Sequence, residues 1–165
     1  MLNRIEKYCV ENRTVMYRLA YGYTKNRDDA LDVVSDAVLR ALTTKSAPRG
    51  EELKPWFYGI VVSAALDFLR KRKDRANIEG GDALMNIPAS GDNAPDEDLM
   101  EAVNRLPEPD RTIIMLRFFE DLKIEDVAKA TNLRVSTTKT RLYAALKKMR
   151  GFSQLAEYAK NTATM

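Results

Sequence analysis

The chain has 165 residues, enough for one ordinary domain or two small ones, and its 45% hydrophobic and 31% charged residues are typical of a folded protein. It contains one cysteine and no histidine, which excludes an intrachain disulfide, a cysteine-rich zinc site and the histidine-dependent catalytic triads. The formal net charge of +3 combines two basic segments, residues 1–76 and 102–165 at +5 each, with an acidic segment, residues 77–101, at −7.

The first 42 residues have the periodicity of helices. Apolar residues recur at intervals of three and four, and the predicted buried stripe of the first part is Val15, Met16, Leu19, Ala20 and Tyr23. A second helix is predicted from about Asp28 to Leu42, with Asn26 as its N-cap. Its predicted buried face is Leu31, Val34, Val38 and Leu42.

A polar loop is predicted at residues 43–54, and Pro55 suits the first position of a third helix. This helix ends with five bases within residues 70–75. Aromatic side chains beside bases can bind single-stranded nucleic acid, by stacking and by pairing with phosphates. Two alternatives stay open. The aromatic residues, at core-like spacing, could be buried, and the bases could simply mark a helix C-terminus, where cations are favoured. The aromatic residues concerned are Trp56, Phe57 and Phe68.

Residues 76–101 interrupt the helical pattern with glycine, proline and acidic residues, which predicts a flexible acidic linker. Its one apolar patch is Leu84, Met85 and Ile87, and it could dock on a neighbouring surface.

Periodicity returns after the linker and ends in the layout of a helix-turn-helix. Two helices are predicted at residues 124–130 and 136–150, joined by a turn at 131–134 in which Asn132 can adopt the left-handed conformation. Residues 129–150 hold seven bases and no acid. Polar side chains at the start of such a second helix can reach base edges in the major groove of DNA. The alternative is a solvated basic face on an ordinary helical hairpin.

An acidic stripe lies on the second predicted helix. Asp29, Asp32, Asp36 and Arg40 are separated by three, four and four residues, so they share one helical face. Three carboxylates cannot face DNA, which favours a basic protein partner, while a simple solvated face is the alternative. Metal binding is possible in principle, but nothing else in the sequence completes a coordination shell.

Three segments, read together, resemble the extracytoplasmic-function sigma factors of the bacterial sigma-70 family. Residues 32–41 (DVVSDAVLRA) resemble the helix that binds core RNA polymerase. Residues 56–60 (WFYGI) with 65–72 (ALDFLRKR) look like the helix that opens the promoter. Leu106-Pro107, Arg111, residues 116–122 (LRFFEDL) and residues 137–142 (TTKTRL) look like the promoter-binding C-terminal domain. The resemblance covers roughly residues 5–150.

The resemblance implies an all-α fold of two small helical domains joined by the acidic linker. Residues 1–75 would bind core polymerase and the −10 promoter element, residues 76–101 would form the linker, and residues 102–160 would bind the −35 element through the helix-turn-helix. The family's linker threads the RNA-exit path of the polymerase, where an acidic chain could mimic nucleic acid.

The same resemblance assigns three sets of contact residues. Those implied for core polymerase, on the clamp helices of its β′ subunit, are Asp29, Asp32, Ser35, Asp36, Leu39 and Arg40. The loop at residues 43–54 would capture a base flipped out of the −10 element. The residues implied for this element are Lys45, Arg49, Ser63, Arg70, Lys71, Arg72 and Lys73. Those implied for the −35 element are Arg134, Ser136, Thr137, Thr138, Lys139, Thr140, Arg141, Tyr143, Lys147 and Lys148.

Five positions depart from the family's usual residues, among them Leu42, where an aromatic is common, and Ala144, where arginine is frequent. Ser35 stands where glutamine is usual, Ser63 replaces a frequent asparagine, and Lys123 occupies a position where a serine typically caps the first helix of the helix-turn-helix. We therefore expect the cap at Lys123 to be weak or to come from another residue.

The partners implied are core RNA polymerase, through its β′ and β subunits, promoter DNA and an anti-sigma factor, which is often membrane-anchored in this family. No catalytic residue, metal, cofactor or small-molecule substrate is expected. Residues 1–6 lack the apolar core of a signal peptide, so we expect a cytoplasmic protein that an anti-sigma factor could hold at the membrane. The alternative from another class is a self-sufficient helix-turn-helix repressor or activator, with residues 1–75 as a dimerisation or sensor domain.

Overall fold

The computed structural model describes residues 3–79 and 97–149, and every regular element in these two ranges is helical. The two ranges belong to two separate compact units. The predicted all-α fold class is therefore confirmed. The apolar patch at residues 84–87 and the chain after residue 149 lie outside the described residues, as does most of the predicted linker.

The first unit contains four helices, which are α1 (Arg4–Glu11), α2 (Arg13–Thr24), α3 (Arg27–Thr43) and α4 (Leu53–Glu79). A 3-10 turn, Gly50–Glu52, leads directly into α4. The predicted loop is therefore shorter than expected, because α4 begins two residues before Pro55. At its other end α4 continues to Glu79, four residues into the predicted linker.

The core of the first unit is formed where α2, α3 and α4 pack against one another. The buried stripe predicted for α2 is largely confirmed, since four of its five residues, Met16, Leu19, Ala20 and Tyr23, are at most 3% exposed. The largest fully buried side chain of α4 is Phe57, which packs edge-on against Tyr8 of α1 with ring centroids 4.9 Å apart. Burial of these aromatic and aliphatic groups holds the helices together.

The buried face predicted for α3 is wrong. Leu31 and Leu42 are exposed, and the residues that α3 buries are Ala30, Val33, Ala37 and Ala41. Small side chains allow neighbouring helix backbones to approach closely, so a face rich in alanine fits in the middle of a helical bundle. The N-cap prediction for this helix is confirmed, because the Asn26 side chain accepts a hydrogen bond from the Asp29 N–H at 2.9 Å.

The second unit contains α5 (Glu97–Arg105), α6 (Asp110–Ile114), a π-helical segment (Met115–Phe119), α7 (Ile124–Thr131) and α8 (Val135–Lys148). Its core combines apolar side chains of all these elements, with Val103, Ile113, Leu116, Val127 and Leu142 at most 1% exposed. Helix α5 begins five residues inside the predicted linker.

The helix-turn-helix predicted in the second unit is confirmed as α7 and α8. Asn132 ends α7 in the left-handed conformation, with φ of 57°, and its N–H bonds to the last turn of that helix. Lys123, the residue before α7, makes no side-chain cap hydrogen bond, as expected.

None of the helices in the described ranges combines the length and apolarity that crossing a membrane requires.

Candidate functional surfaces

The outward face of α3 carries an apolar stripe. Leu31, Leu39 and Leu42 are 44%, 61% and 41% exposed, and with Ser35 they follow one another at intervals of four, four and three residues. This spacing places them on one side of the helix, opposite the alanine-rich face. An exposed stripe of large apolar residues is typical of a protein-binding surface. Of these residues, the sequence had pointed to Ser35 and Leu39 as partner contacts but had placed Leu31 and Leu42 in the core.

The predicted acidic face of α3 divides into two parts. Asp32 is exposed beside the apolar stripe, as is Asp28, and neither forms an ion pair with any described residue. Asp29 and Asp36 are half-buried and both bind arginines, Asp29 pairing with Arg72 of α4 and Asp36 with Arg40 of α3 itself. Among the described residues no cluster of three or more cysteine or carboxylate side chains could hold a metal ion. The partner-accessible surface of α3 is therefore apolar with a few acids, rather than a stripe of three carboxylates.

Arg40 connects α3 to α4 instead of facing outward. Its Nη2 lies 2.9 Å from Asp36 Oδ2 and 2.8 Å from Asp67 Oδ2, and its Nη1 donates to Ser63 Oγ at 3.3 Å. Burial by itself lowers the pKa of Arg40, but hydrogen bonds and the charges of Asp67 and Asp36 raise it overall, so the guanidinium stays charged. Arg40 and Ser63, expected at two different interfaces, thus bind each other.

The basic end of α4 mixes free and paired cations. Lys71 and Lys73 are exposed and form no ion pair with a described residue. Arg70 Nη2 lies 3.0 Å from Asp67 Oδ1, and Arg72 Nη1 lies 3.4 Å from Asp29 Oδ2. Two of the four α4 bases expected at −10 DNA are therefore engaged with carboxylates of their own unit.

The loop between α3 and α4 is held in place by α1. Arg4 donates from Nη1 to the Pro48 carbonyl at 2.6 Å and from Nη2 to the Ala47 carbonyl at 3.1 Å. Lys45 and Arg49 lie on either side of these two residues and are both exposed. Sequence reasoning missed Arg4, because a contact across more than forty residues leaves no local signal.

Helix α8 presents a polar, basic face. Exposed side chains spaced by three or four residues form a stripe along this face, namely Ser136, Lys139, Thr140, Tyr143 and Lys147. Arg141 and Lys148 are exposed on the flank of this stripe, Thr137 is half-buried, and Arg134 is exposed just before the helix. The three lysines form no ion pair with a described residue, so their charges are available to a polyanion.

Thr138 does not belong to this face. It is fully buried, and its Oγ1 donates to the Arg134 carbonyl at 2.8 Å within the first turn of α8. Its expected contact with the −35 element is therefore wrong, because the hydroxyl is satisfied inside the protein and turned away from solvent.

Asp110 anchors α8 to α6. Its carboxylate is buried, and its Oδ1 lies 3.2 Å from Arg141 Nη1, while half of the Arg141 side chain remains exposed. The sequence pointed to Arg141 but not to Asp110, which lies 31 residues earlier. Since this ion pair fixes one flank of α8, it helps to define the orientation of the basic face.

Comparison with known proteins gives a consistent picture. The model of Sigma-70 region 2 matches residues 10–75, and that of Sigma-70 region 4 matches residues 96–149. RNA polymerase sigma factor SigV of Bacillus subtilis is 45% identical over 141 residues, which cover 85% of each chain. ECF RNA polymerase sigma factor SigW of the same organism is 25% identical over 151 residues, covering 82% of this chain and 81% of that protein.

Solved structures share the fold at lower identity. The sigma factor RpoE of Bartonella quintana, in complex with the anti-sigma factor NepR, has a TM-score of 0.69 at 18% identity, covering 94% of this chain and 98% of that one. CnrH, in complex with the cytosolic domain of CnrY, has a TM-score of 0.62 at 16% identity, covering 89% and 85%. The relationship to SigV, the region 2 and region 4 matches and this shared fold have one common explanation. The chain belongs to the extracytoplasmic-function sigma factors of the sigma-70 family.

Proposed function

We propose that this protein is an alternative sigma factor, which binds core RNA polymerase and directs it to a limited set of promoters. In this proposal residues 1–75 act as region 2, on the polymerase and the −10 element, and residues 102–160 act as region 4, on the −35 element. The observation that carries the proposal is the pair of region matches, one to each compact unit of a chain that is 45% identical to a sigma factor.

The outward face of α3 is proposed as the polymerase-binding surface. Leu39 is its most exposed apolar residue, and Asp32 and Ser35 lie beside it. Apolar anchors surrounded by polar groups supply most of the affinity of a protein interface, while charges steer the approach. We assign Leu31 and Leu42 to the same surface. Asp29, Asp36 and Arg40 are assigned to its edge, where Asp29 and Arg40 bind α4 and Asp36 binds Arg40.

The loop and the basic end of α4 are proposed as the −10 surface. Lys45 and Arg49 in the anchored loop, with Lys71 and Lys73 on α4, offer exposed cations to a DNA strand. A single strand separated from its duplex exposes its bases for reading and its phosphates for pairing.

Helix α8 is proposed as the recognition helix for the −35 element. Side chains near the start of a recognition helix read base edges in the major groove, which suits Ser136, Lys139 and Thr140. Lys147 and Lys148, further along, are suited to phosphates, which supply affinity that weakens with salt.

An anti-sigma factor is proposed as the regulator, because the structurally similar sigma factor RpoE is complexed with the anti-sigma factor NepR. The exposed leucines of α3 offer such a protein an apolar site that competes with the polymerase. The proposed location is the cytoplasm, where both polymerase and promoters are found. We propose no catalytic activity and no cofactor, since polymerase supplies the chemistry.

Run-off transcription with purified core polymerase and a library of randomised promoters tests this function. We expect specific transcripts, enriched for one −35 and one −10 sequence, only when the protein is added. A protein that binds duplex operators tightly but neither binds core polymerase nor produces transcripts would instead be a self-sufficient repressor or activator.

A further inference from the structure

Two carboxylates of the first unit hold two arginines of the proposed −10 surface. Asp29, on α3, lies 3.4 Å from Arg72, and Asp67, on α4, lies 3.0 Å from Arg70. Asp67 also binds Arg40 at 2.8 Å. The carboxylates thus occupy guanidinium groups on the segment proposed to bind DNA.

We propose that these ion pairs restrain DNA binding in the free protein. A partner that docks on α3 relieves the restraint by pairing with the Asp29 carboxylate in place of Arg72. The proposal rests on the proposed function, since it takes the end of α4 to be a DNA-binding segment.

The restraint follows from competition for the same donors. Carboxylates and phosphates both accept paired hydrogen bonds from a guanidinium, so an arginine engaged with Asp29 or Asp67 must give up part of that interaction to bind a phosphate. Asp29 and Arg72 are only 27% and 28% exposed, which screens their attraction less than that of fully exposed charges. Lys71 and Lys73 are outside this restraint, so DNA binding is weakened rather than abolished.

The relief follows from the position of Asp29. It lies in the first turn of α3, next to Asp28 and near the exposed face that contains Asp32. A basic group on a protein docked there can reach the Asp29 carboxylate and compete for it. By linkage, a partner that binds the Asp29 carboxylate raises the affinity of Arg72 for DNA. In the same way, DNA bound to Arg72 raises the affinity of Asp29 for the partner. Polymerase docking and strand capture then strengthen each other through a single ion pair.

Neighbouring aspartates provide matched variants for the test. Asp29→Asn and Asp28→Asn change the same charge in the same helical turn, but only the first removes a partner of Arg72. Asp67→Asn and Asp74→Asn form a second pair on α4, since Asp74 is exposed and makes no ion pair with a described residue.

The measurement is the affinity of the full-length protein, without polymerase, for a fluorescent single-stranded oligonucleotide of about 20 nucleotides. We expect Asp29→Asn to bind about threefold more tightly than Asp28→Asn, as suits the loss of one partly exposed ion pair. In a background of Arg72→Ala the two aspartate variants should bind equally. Asp67→Asn should likewise bind more tightly than Asp74→Asn.

Equal affinities of the matched variants in the native background would overturn the proposal. Weaker binding by Asp29→Asn would do so as well, since it would mean that Asp29 positions Arg72 for DNA. Thermal melting of each variant identifies loss of fold. Either negative result leaves promoter-specific transcription by the wild-type protein intact, so it is distinguishable from failure of the proposed function.

Discussion

Helices α3 and α8 each present a face to solvent, but they divide their residues in opposite ways. Helix α3 buries alanines and exposes Leu31, Leu39 and Leu42, whereas α8 buries Leu142 and Leu146 and exposes lysines, Ser136 and Thr140. Hydrophobicity therefore indicates the buried face of α8 correctly and that of α3 incorrectly. The difference also separates two kinds of partner, since an apolar outward face suits a protein and a polar basic one suits DNA.

The contrast within α3 is tested most severely by overfilling its buried face. Ala37 is 1% exposed, and Ala37→Leu should lower the free energy of unfolding by about 2–3 kcal/mol, because the added carbons have no space. Urea denaturation of the purified protein measures the change. A variant as stable as the wild type would show that α3 is packed less closely than its alanines indicate.

The exposed side of α3 should respond in the reverse manner. Leu39→Ala should change the free energy of unfolding by less than about 0.5 kcal/mol, because the side chain is 61% exposed. It should weaken binding to core polymerase about tenfold, as expected for an apolar anchor. A pull-down or anisotropy titration with core polymerase measures the affinity. Unchanged affinity would remove this face from the polymerase interface.

On α8 the outward charges are predicted to control binding to DNA. The double variant Lys139→Ala/Lys147→Ala should bind a duplex −35 element about tenfold more weakly at low salt, with a salt dependence reduced by about two released ions. The matched control is Lys7→Ala/Lys54→Ala, which removes the same charge from exposed positions of the first unit. Equal losses in both variants would mean that only net charge matters.

Arg40 separates a role within the domain from a role at its surface. Arg40→Ala removes contacts with Asp36, Ser63 and Asp67, and should lower the free energy of unfolding by about 1 kcal/mol. Thermal melting together with polymerase titration tests this prediction. Unchanged stability with lost polymerase affinity would restore the outward contact implied by family resemblance.

The reactivity of the Cys9 thiol shows whether α1 stays packed against its neighbours. Of these predictions, it concerns the smallest change in stability. Burial raises the pKa of the Cys9 thiol above its ordinary value of 9.0, so the folded protein holds less of the reactive thiolate. We expect little labelling by iodoacetamide at a pH of about 8 and full labelling in urea. Because the unfolded thiol ionises first, stability should fall slightly as pH rises above the ordinary value. Rapid labelling of the folded protein would show that α1 opens.

Local sequence signals predicted most of the secondary structure. The helices indicated by the apolar period, the cap at Asn26 and the turn at Asn132 depend on neighbouring residues, and the structure confirms these elements. The bonds that involve distant partners left no such signal, as in Asp29–Arg72 and Asp110–Arg141, which span 43 and 31 residues. The exposed face of α3 was missed for another reason. The large apolar side chains of this helix were assigned to the core, whereas close packing against its neighbours buries the alanines.

The left-handed residue that ends α7 also limits how the protein can vary. At Asn132, with φ of 57°, glycine and asparagine fit without strain, whereas a β-branched residue clashes with its own backbone. A saturation library at this position should therefore retain only a few small or amide-bearing residues, although the side chain is exposed and lies between two helices rather than in the core. Tolerance at this corner is governed by backbone geometry, so exposure alone is a poor guide to which surface positions can be altered freely.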